Sequence, residues 1–379
     1  MKILALSSIR SDYDLLSPLY KLLDRDDSIE FKILVSGAHL SKEFGYTKQF
    51  IEQDGFDILL GIETLINSDS LSSRLKTASI FLQNSIDVVA NYNPDIILYA
   101  GDREDVIIGG LLGIYLNIPT IHFYGGDHES DGHQDTYIRH ATSKLSSLHF
   151  VSSENHKKRL IAMGEKPSSI YSIGSISLDK FNDFESKNIQ EYFKRDDLKK
   201  FALVIYHPLQ DENPRITFQN ILSVLEEKDI MAIVSYPNSD PGYLEINSVI
   251  EEYSGSSRFI FYRNLERDIF LSIFSNCEFM IGNSSAGIHE AATINKAVIN
   301  VGLRQRDRDS SENVIFCGTE KSSISQSIDR VNSVEFQEKI SKLDNIYGDG
   351  NSAKRAYSLI KTIAVREFIP KVYDALRGQ

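Results

Sequence analysis

The sequence predicts a two-domain α/β protein built on doubly wound parallel sheets. Short, nearly continuous apolar runs recur in two series, stretches of helical periodicity separate them, and a charged segment divides one series from the other. Runs of three to five apolar residues with Gly, Pro or Asn nearby read as strands buried on both faces. Their alternation with helices implies right-handed crossover units.

The first series lies at residues 3–6, 31–35, 58–60, 96–99, 120–123 and 148–151. The second lies at 202–206, 231–234, 259–261, 279–281 and 298–301. Leu15, Leu16, Leu19, Leu22 and Leu23 form an apolar stripe on a helix after the first run, and Ile221, Leu222, Val224 and Leu225 form another in the second series. The dividing stretch, residues 179–200, is charged, Pro-free and poor in apolar pattern, so it reads as a surface segment or hinge. From about Ser352 the chain is helical again. The 379 residues suit two domains of about 150–200 residues each.

Composition excludes several classes. With 41% apolar and 25% charged residues the chain is globular, not disordered, collagenous or a disulfide scaffold. A net charge of −12 disfavours a protein that coats nucleic acid, while leaving room for a local anion site. Cys277 and Cys317 stand in no Cys/His pattern, so no metal site is expected. The N-terminal apolar run is too short for a signal peptide, and no run approaches the ~18 residues of a membrane span. A cytoplasmic protein with no membrane or nucleic-acid partner is the expectation.

In open α/β sheets ligands gather at the carboxyl ends of strands. Polar residues follow many of the strands here: Arg10-Ser11-Asp12-Tyr13, Gly101-Asp102-Arg103, Tyr124 to Glu129, His207-Pro208, Asn238 to Asp240, Gly282 to Gly287, and Arg304 with Arg306. One large polar ligand in an interdomain cleft accounts for this better than loop composition alone. Gly282-Asn283-Ser284-Ser285-Ala286-Gly287 is either a phosphate site at a helix start or a plain Ser N-cap; Arg304 and Arg306 favour the former. Arg10 is a clamp for an anion or a surface arginine. Asp102 is a base or the partner of Arg103. The segment 127–140 holds Asp127, Glu129, Asp131 and Asp135 beside His128, His133, Arg139 and His140. Crowded carboxylates can serve as acid and base near neutrality, and a solvated acidic loop is the alternative. His128 and His133 match no familiar metal spacing. His207 is structural or faces the ligand. Neither a GxGxxG nor a GxxxxGK[ST] element is present.

Taken in order, these residues resemble the UDP-N-acetylglucosamine 2-epimerase family, in particular its hydrolysing branch of the sialic and legionaminic acid type. The family's RAD-[YF], GDR, HIEGGE, IRHA-x-[ST]KL, HP, YPN-x-D, GNSS-x-G and RQ-x-x-R elements are met as follows. They fall on Arg10–Tyr13, Gly101–Arg103, His122–Asp127, Ile138–Leu145, His207-Pro208, Tyr236–Asp240, Gly282–Gly287 and Arg304–Arg308. The match runs along essentially the whole chain.

The resemblance implies a glycosyltransferase-B type fold, with a first Rossmann-like domain over 1–178, a UDP-binding domain over 179–361, and a C-terminal helix at about 362–379 crossing back. It implies elimination of UDP across C1–C2 and hydration of the resulting 2-acetamidoglucal, with no cofactor, in a homodimer or homotetramer. The implied acid/base residues are Asp102 and Asp135, with Asp127 or Glu129 as a third, and His207 assists the leaving diphosphate. The implied substrate contacts are Arg10, Asp12, Tyr13, Arg103, Tyr124, Arg139, His140, Asn238, Asp240, Asn283, Ser284, Ser285, Gly287, Glu290, Arg304 and Arg306, Glu290 through the ribose. Two departures lie on the sugar side. Tyr124 stands where the family has Glu, and Leu209-Gln210-Asp211-Glu212 replaces the residues usual after His-Pro. They leave UDP-N-acetylglucosamine and UDP-2,4-diacetamido-2,4,6-trideoxyglucose both open as substrate. A non-hydrolysing epimerase, a transferase of the same fold and a non-catalytic binding protein are the rivals.

Overall fold

The computed structural model describes residues 1–378 except 67, 69, 129–133, 183, 210, 211 and 239, and only the backbone of Leu71. The chain forms two compact units. One comprises Met1–Asp127, Gln134–Lys180 and Tyr347–Gln379; the other contains Phe181–Ile346.

The first unit is built on β1 (Lys2–Ser7), β2 (Glu30–Ser36), β3 (Ile58–Ile62), β4 (Ile96–Ala100), β5 (Thr120–Phe123), β6 (Leu148–Val151) and β7 (Ile170–Ser172). Their order is β3-β2-β1-β4-β5-β6-β7, and every described pairing is parallel. Alternate residues of β1 feed opposite cores, which is why its sequence is apolar throughout. Ile3 and Ala5 join Leu16, Leu19 and Leu23 of the helix Arg10–Asp24, whereas Leu4 and Leu6 join Phe81 and Val89 of the helix Leu71–Tyr92. Each such fully buried Leu or Ile contributes about 1.5–3 kcal/mol.

The second unit repeats the plan with β8 (Ala202–Ile205), β9 (Ala232–Ser235), β10 (Phe259–Tyr262), β11 (Phe279–Gly282), β12 (Ala297–Val301) and β13 (Val314–Cys317). The order is β10-β9-β8-β11-β12-β13, again with parallel pairing. Val204 faces the helix Pro214–Glu227, which Asn213 caps by accepting the Ile216 N–H at 3.0 Å. β7 and β13 are two strands that the apolar runs do not announce. Ile-Tyr-Ser is only three residues long, and Val-Ile-Phe-Cys alternates partly exposed and buried positions at a sheet edge.

Two expectations about the chain's course need correction. The stretch 179–200 is not purely surface: Asp179 is buried, and its carboxylate accepts the Ser352 N–H at 3.0 Å and the Ala353 N–H at 2.7 Å. It thereby caps the helix Ser352–Thr362, which packs on the helix Arg10–Asp24 within the first unit. The last α-helix is this one, beginning at Ser352 as the periodicity predicts, not a helix at 362–379. After a 3₁₀ turn at Val365–Phe368 the chain extends, because Pro370 holds Ile369 in the extended region and offers no N–H. Among the described residues no helix is long and apolar enough to cross a membrane.

Candidate active site

The order of each sheet reverses once, between β1 and β4 in the first unit and between β8 and β11 in the second. At such a switch point the flanking loops part and leave room for a ligand at the strands' carboxyl ends. Residues 8–13 and 101–105 flank the first; residues 206–208 and 283–285 flank the second.

In the first unit Asp102 follows β4 and is bonded by Arg139. Arg139 is buried on the helix Gln134–Leu145, where its second contact is the Asp127 carbonyl at 3.2 Å. Asp135, one turn earlier on the same helix face, accepts from Arg74 Nη2 at 3.2 Å, and Arg74 also bonds Glu104. The two carboxylates singled out for acid/base work are therefore each held by a guanidinium from another element. The turn after β5 is gripped twice. Arg139 holds the Asp127 carbonyl, and Arg159 Nη1 donates to the Gly126 carbonyl at 2.6 Å. Gly126 is obligatory there: φ is +80°, and a Cβ would sit 2.4 Å from the His156 carbonyl oxygen. Asp127 is buried with its Oδ1 3.5 Å from His156 Nε2. Glu129, His133 and Asp131 lie outside the described residues.

Beside Asp102 lies a second acidic group that the sequence reading did not single out. Asp105 is buried and accepts the Ser8 hydroxyl at 2.6 Å. Burial raises its carboxyl above the ordinary range, and the Ser8 bond only partly offsets this. Asp12 is raised as well, by burial first; Arg103 opposes the rise, while Asp105 and Asp102 add to it. Arg10 lies 3.4 Å from Asp14 and stacks on Phe50 at 4.2 Å, so its guanidinium has partners of its own. His140 is half-buried on the Arg139 helix.

Three of the expected substrate contacts also have roles in packing. Tyr13 is fully buried among core aromatics, with its hydroxyl on Asp54, and it has no surface to offer a ligand. Tyr124 is buried at φ +64°, and its hydroxyl accepts the Ser177 N–H at 3.2 Å and the Ser175 hydroxyl at 3.4 Å. It packs with the core of the first unit. Gly287 is needed by packing: a Cβ there would meet Val298 Cγ1 at 2.7 Å.

In the second unit His207 follows β8 and is partly exposed. Its main-chain N–H donates to Asn283 Oδ1 at 2.7 Å, and its carbonyl accepts from Asn283 Nδ2 at 2.8 Å. The Asn238 N–H donates to its ring Nδ1 at 3.1 Å. Asn238 Nδ2 donates to Asp240 Oδ2 at 2.6 Å, and Arg304 Nη2 reaches the same oxygen at 3.3 Å. Ser284 caps the helix Ser285–His289 by accepting the Ala286 N–H at 3.3 Å. That helix has only five residues, so the dipole expected at its start is small. Gly282, at φ +140°, serves close approach of β11 to β8, since a Cβ would lie 1.9 Å from the Ile205 carbonyl oxygen. Ser285 and Arg306 are exposed, and Glu290 is buried at the end of the short helix.

Comparison with known proteins agrees with this arrangement. Residues 21–361 match the family model described as UDP-N-acetylglucosamine 2-epimerase. The chain is 35% identical to a UDP-N,N'-diacetylbacillosamine 2-epimerase (hydrolyzing) of Legionella pneumophila, over 97% of each protein. It is 32% identical to a GDP/UDP-N,N'-diacetylbacillosamine 2-epimerase (hydrolyzing) of Campylobacter jejuni, over 89% of each. Its fold is like that of the UDP-GlcNAc 2-epimerase from Neisseria meningitidis bound to UDP-GlcNAc. There the TM-score is 0.81 at 18% identity, covering 96% of this chain and 100% of the other. That likeness carries the fold, two parallel-sheet units of the glycosyltransferase-B type. The match over nine-tenths of the length, together with the ordered motifs at both switch points, means that this chain belongs to the UDP-N-acetylglucosamine 2-epimerase family.

Proposed function

We propose that the chain is a hydrolysing 2-epimerase of a UDP-2-acetamido sugar, with UDP-2,4-diacetamido-2,4,6-trideoxyglucose (UDP-N,N'-diacetylbacillosamine) as the favoured substrate. The observation that carries the chemistry is the pair Asp102 and Asp135, each held by an arginine at the carboxyl edge of the first sheet. A carboxylate placed against the substrate can take a proton. One removes the proton from C2 of the sugar. The C1–O bond breaks, its electron pair leaves with UDP, and a 2-acetamidoglucal remains. The other takes a proton from water as its hydroxyl adds to C1, and C2 is reprotonated from the opposite face. The net reaction consumes one water and yields UDP and the free C2-inverted sugar. His207 assists the departing diphosphate, and Ser284, Ser285 and Arg306 hold it. Arg304 stands behind them with Asp240.

The choice of sugar is supported by two relatives above 30% identity that are named for diacetylbacillosamine. UDP-N-acetylglucosamine is the second reading, favoured by a UDP-N-acetylglucosamine 2-epimerase of Neisseria meningitidis at 29% identity over 86% of each chain. Incubation with each UDP-sugar separately, followed by proton and phosphorus NMR, decides between them. The expected result is UDP and free 2-epimerised sugar from the diacetamido substrate, with solvent deuterium at C2. Release of UDP from neither sugar overturns the function, and an epimer still attached to UDP identifies a non-hydrolysing enzyme.

A further inference from the structure

Two holds on His207 act together: one fixes its main chain, and the other, which depends on that placement, fixes its ring. The first hold is on the main chain. The single carboxamide of Asn283 accepts the His207 N–H and donates to the His207 carbonyl, at 2.7 and 2.8 Å. Asn283 continues the β8–β11 ladder with its side chain: its own N–H bonds the Ile205 carbonyl at 3.0 Å, and Gln305 Nε2 holds its carbonyl at 3.2 Å. At 1% exposure it offers almost no surface to a ligand. A side chain that donates and accepts in one plane must be an amide, and Asp in its place could make only the first of the two bonds.

The second hold is on the ring. The donor at 3.1 Å from Nδ1 is the backbone N–H of Asn238, and a backbone N–H cannot accept. Nδ1 must therefore present its lone pair, and the neutral imidazole carries its proton on Nε2. The loop that supplies this N–H is itself braced. The Asp240 N–H donates to Asn238 Oδ1 at 3.2 Å, and Asp240 Oδ2 receives both Asn238 Nδ2 and Arg304.

We propose that Asn283 is a positioning residue that acts through His207, fixing it as an Nε2–H donor for an anionic leaving group, rather than a residue that touches the nucleotide sugar. This rests on the reading in which His207 serves the diphosphate. The pairing makes Asn283 matter to the departure step and little to ground-state binding. An oxygen that gains negative charge as the C1–O bond breaks accepts from a fixed N–H more strongly than it did before.

The first measurement needs no substrate. In uniformly ¹⁵N-labelled full-length protein, long-range ¹H–¹⁵N spectra report which ring nitrogen of each histidine is protonated, and His207→Gln assigns the relevant signal. The expected result is the Nε2–H tautomer at His207; the Nδ1–H tautomer overturns the proposal. The second uses Asn283→Ala and Asn283→Asp with the UDP-sugar. The expected loss is about ten- to a hundredfold in kcat for Asn283→Ala, with KM within about threefold and a smaller loss for Asn283→Asp. The His207 signal is expected to become a mixture of tautomers in Asn283→Ala. A rise in KM with kcat and tautomer unchanged shows direct contact and overturns the proposal. If both variants unfold, an Nδ1–H tautomer in the wild-type protein still overturns the proposal, and Asn283→Ser, which keeps one hydroxyl on the His207 main chain, carries the same kcat-against-KM test. If wild-type protein releases no UDP, the functional reading fails, while the tautomer and its response to Asn283→Ala still test the positioning.

Discussion

The two switch points share a topology and differ in chemistry. The first is charge-dense: Asp12, Asp102, Asp105 and Asp135 lie among Arg74, Arg103 and Arg139. The second is mostly a frame of neutral hydrogen bonds, in which Asn283, Asn238 and Ser284 bond main chain and one imidazole. The difference shows what each arrangement requires. Buried charges need counter-charges, so Arg74 and Arg139 must come from separate helices. Neutral amides need only the backbone of adjacent strands. In the proposed function the first unit moves protons and the second holds an anion.

The largest test of this division is Asp102→Asn. Turnover should fall by about 10²–10⁴, while UDP affinity in calorimetry stays within about threefold of wild type. Loss of UDP binding with turnover retained would erase the distinction. Next is Gly282→Ala, which attacks the frame of the second switch point. A Cβ 1.9 Å from the Ile205 carbonyl at φ +140° should cost about 3 kcal/mol or more, read as a lowered denaturant midpoint with unchanged slope.

A third prediction concerns acid. Burial alone would raise the Glu165 carboxyl, but the His149 hydrogen bond and the Lys371 and Lys144 ammonium groups outweigh it and hold it down at about 2, below the ordinary 4.5. A depressed carboxyl stabilises the fold above the unfolded value and loses that contribution as pH falls through the folded one. Glu165→Gln should therefore cost about 2–3 kcal/mol above pH 4.5, and the gap to wild type should close toward pH 2, as followed by thermal unfolding. The smallest effect is expected of Arg306→Ala. Arg306 is exposed, so UDP affinity should drop by about threefold and the difference should vanish at high salt.

Much of this was legible before any coordinates. The apolar runs marked eleven of the strands because parallel strands are buried on both faces, and periodicity marked the helix starting at Ser352. The polar loops at the switch points were legible because Gly, Asn, Ser and His are unusual at the end of an apolar run. What the sequence hid was reach across the chain. Arg74 is 61 residues from Asp135, and nothing near position 74 announces the pairing. The burial of Tyr13 and Tyr124 was hidden for the opposite reason. Each stands beside polar loop residues in sequence, yet its ring packs in the core. Asp105 was overlooked because it stands next to Asp102-Arg103, which drew the attention to itself.

The cap that Asp179 places on the helix Ser352–Thr362 has a consequence for synthesis. The first unit to leave the ribosome cannot be completed first. Its buried carboxylate at 179 lacks the Ser352 and Ala353 N–H groups, and the helix Arg10–Asp24 lacks its neighbour, until some 170 further residues have been made. The second unit, whose strands all lie between Phe181 and Ile346, carries no such debt to later sequence and can close while the first still waits. Vectorial synthesis thus inverts the order in which the two halves reach their final state, and a chain stopped short of Ser352 would release a half-finished first unit beside a finished second one.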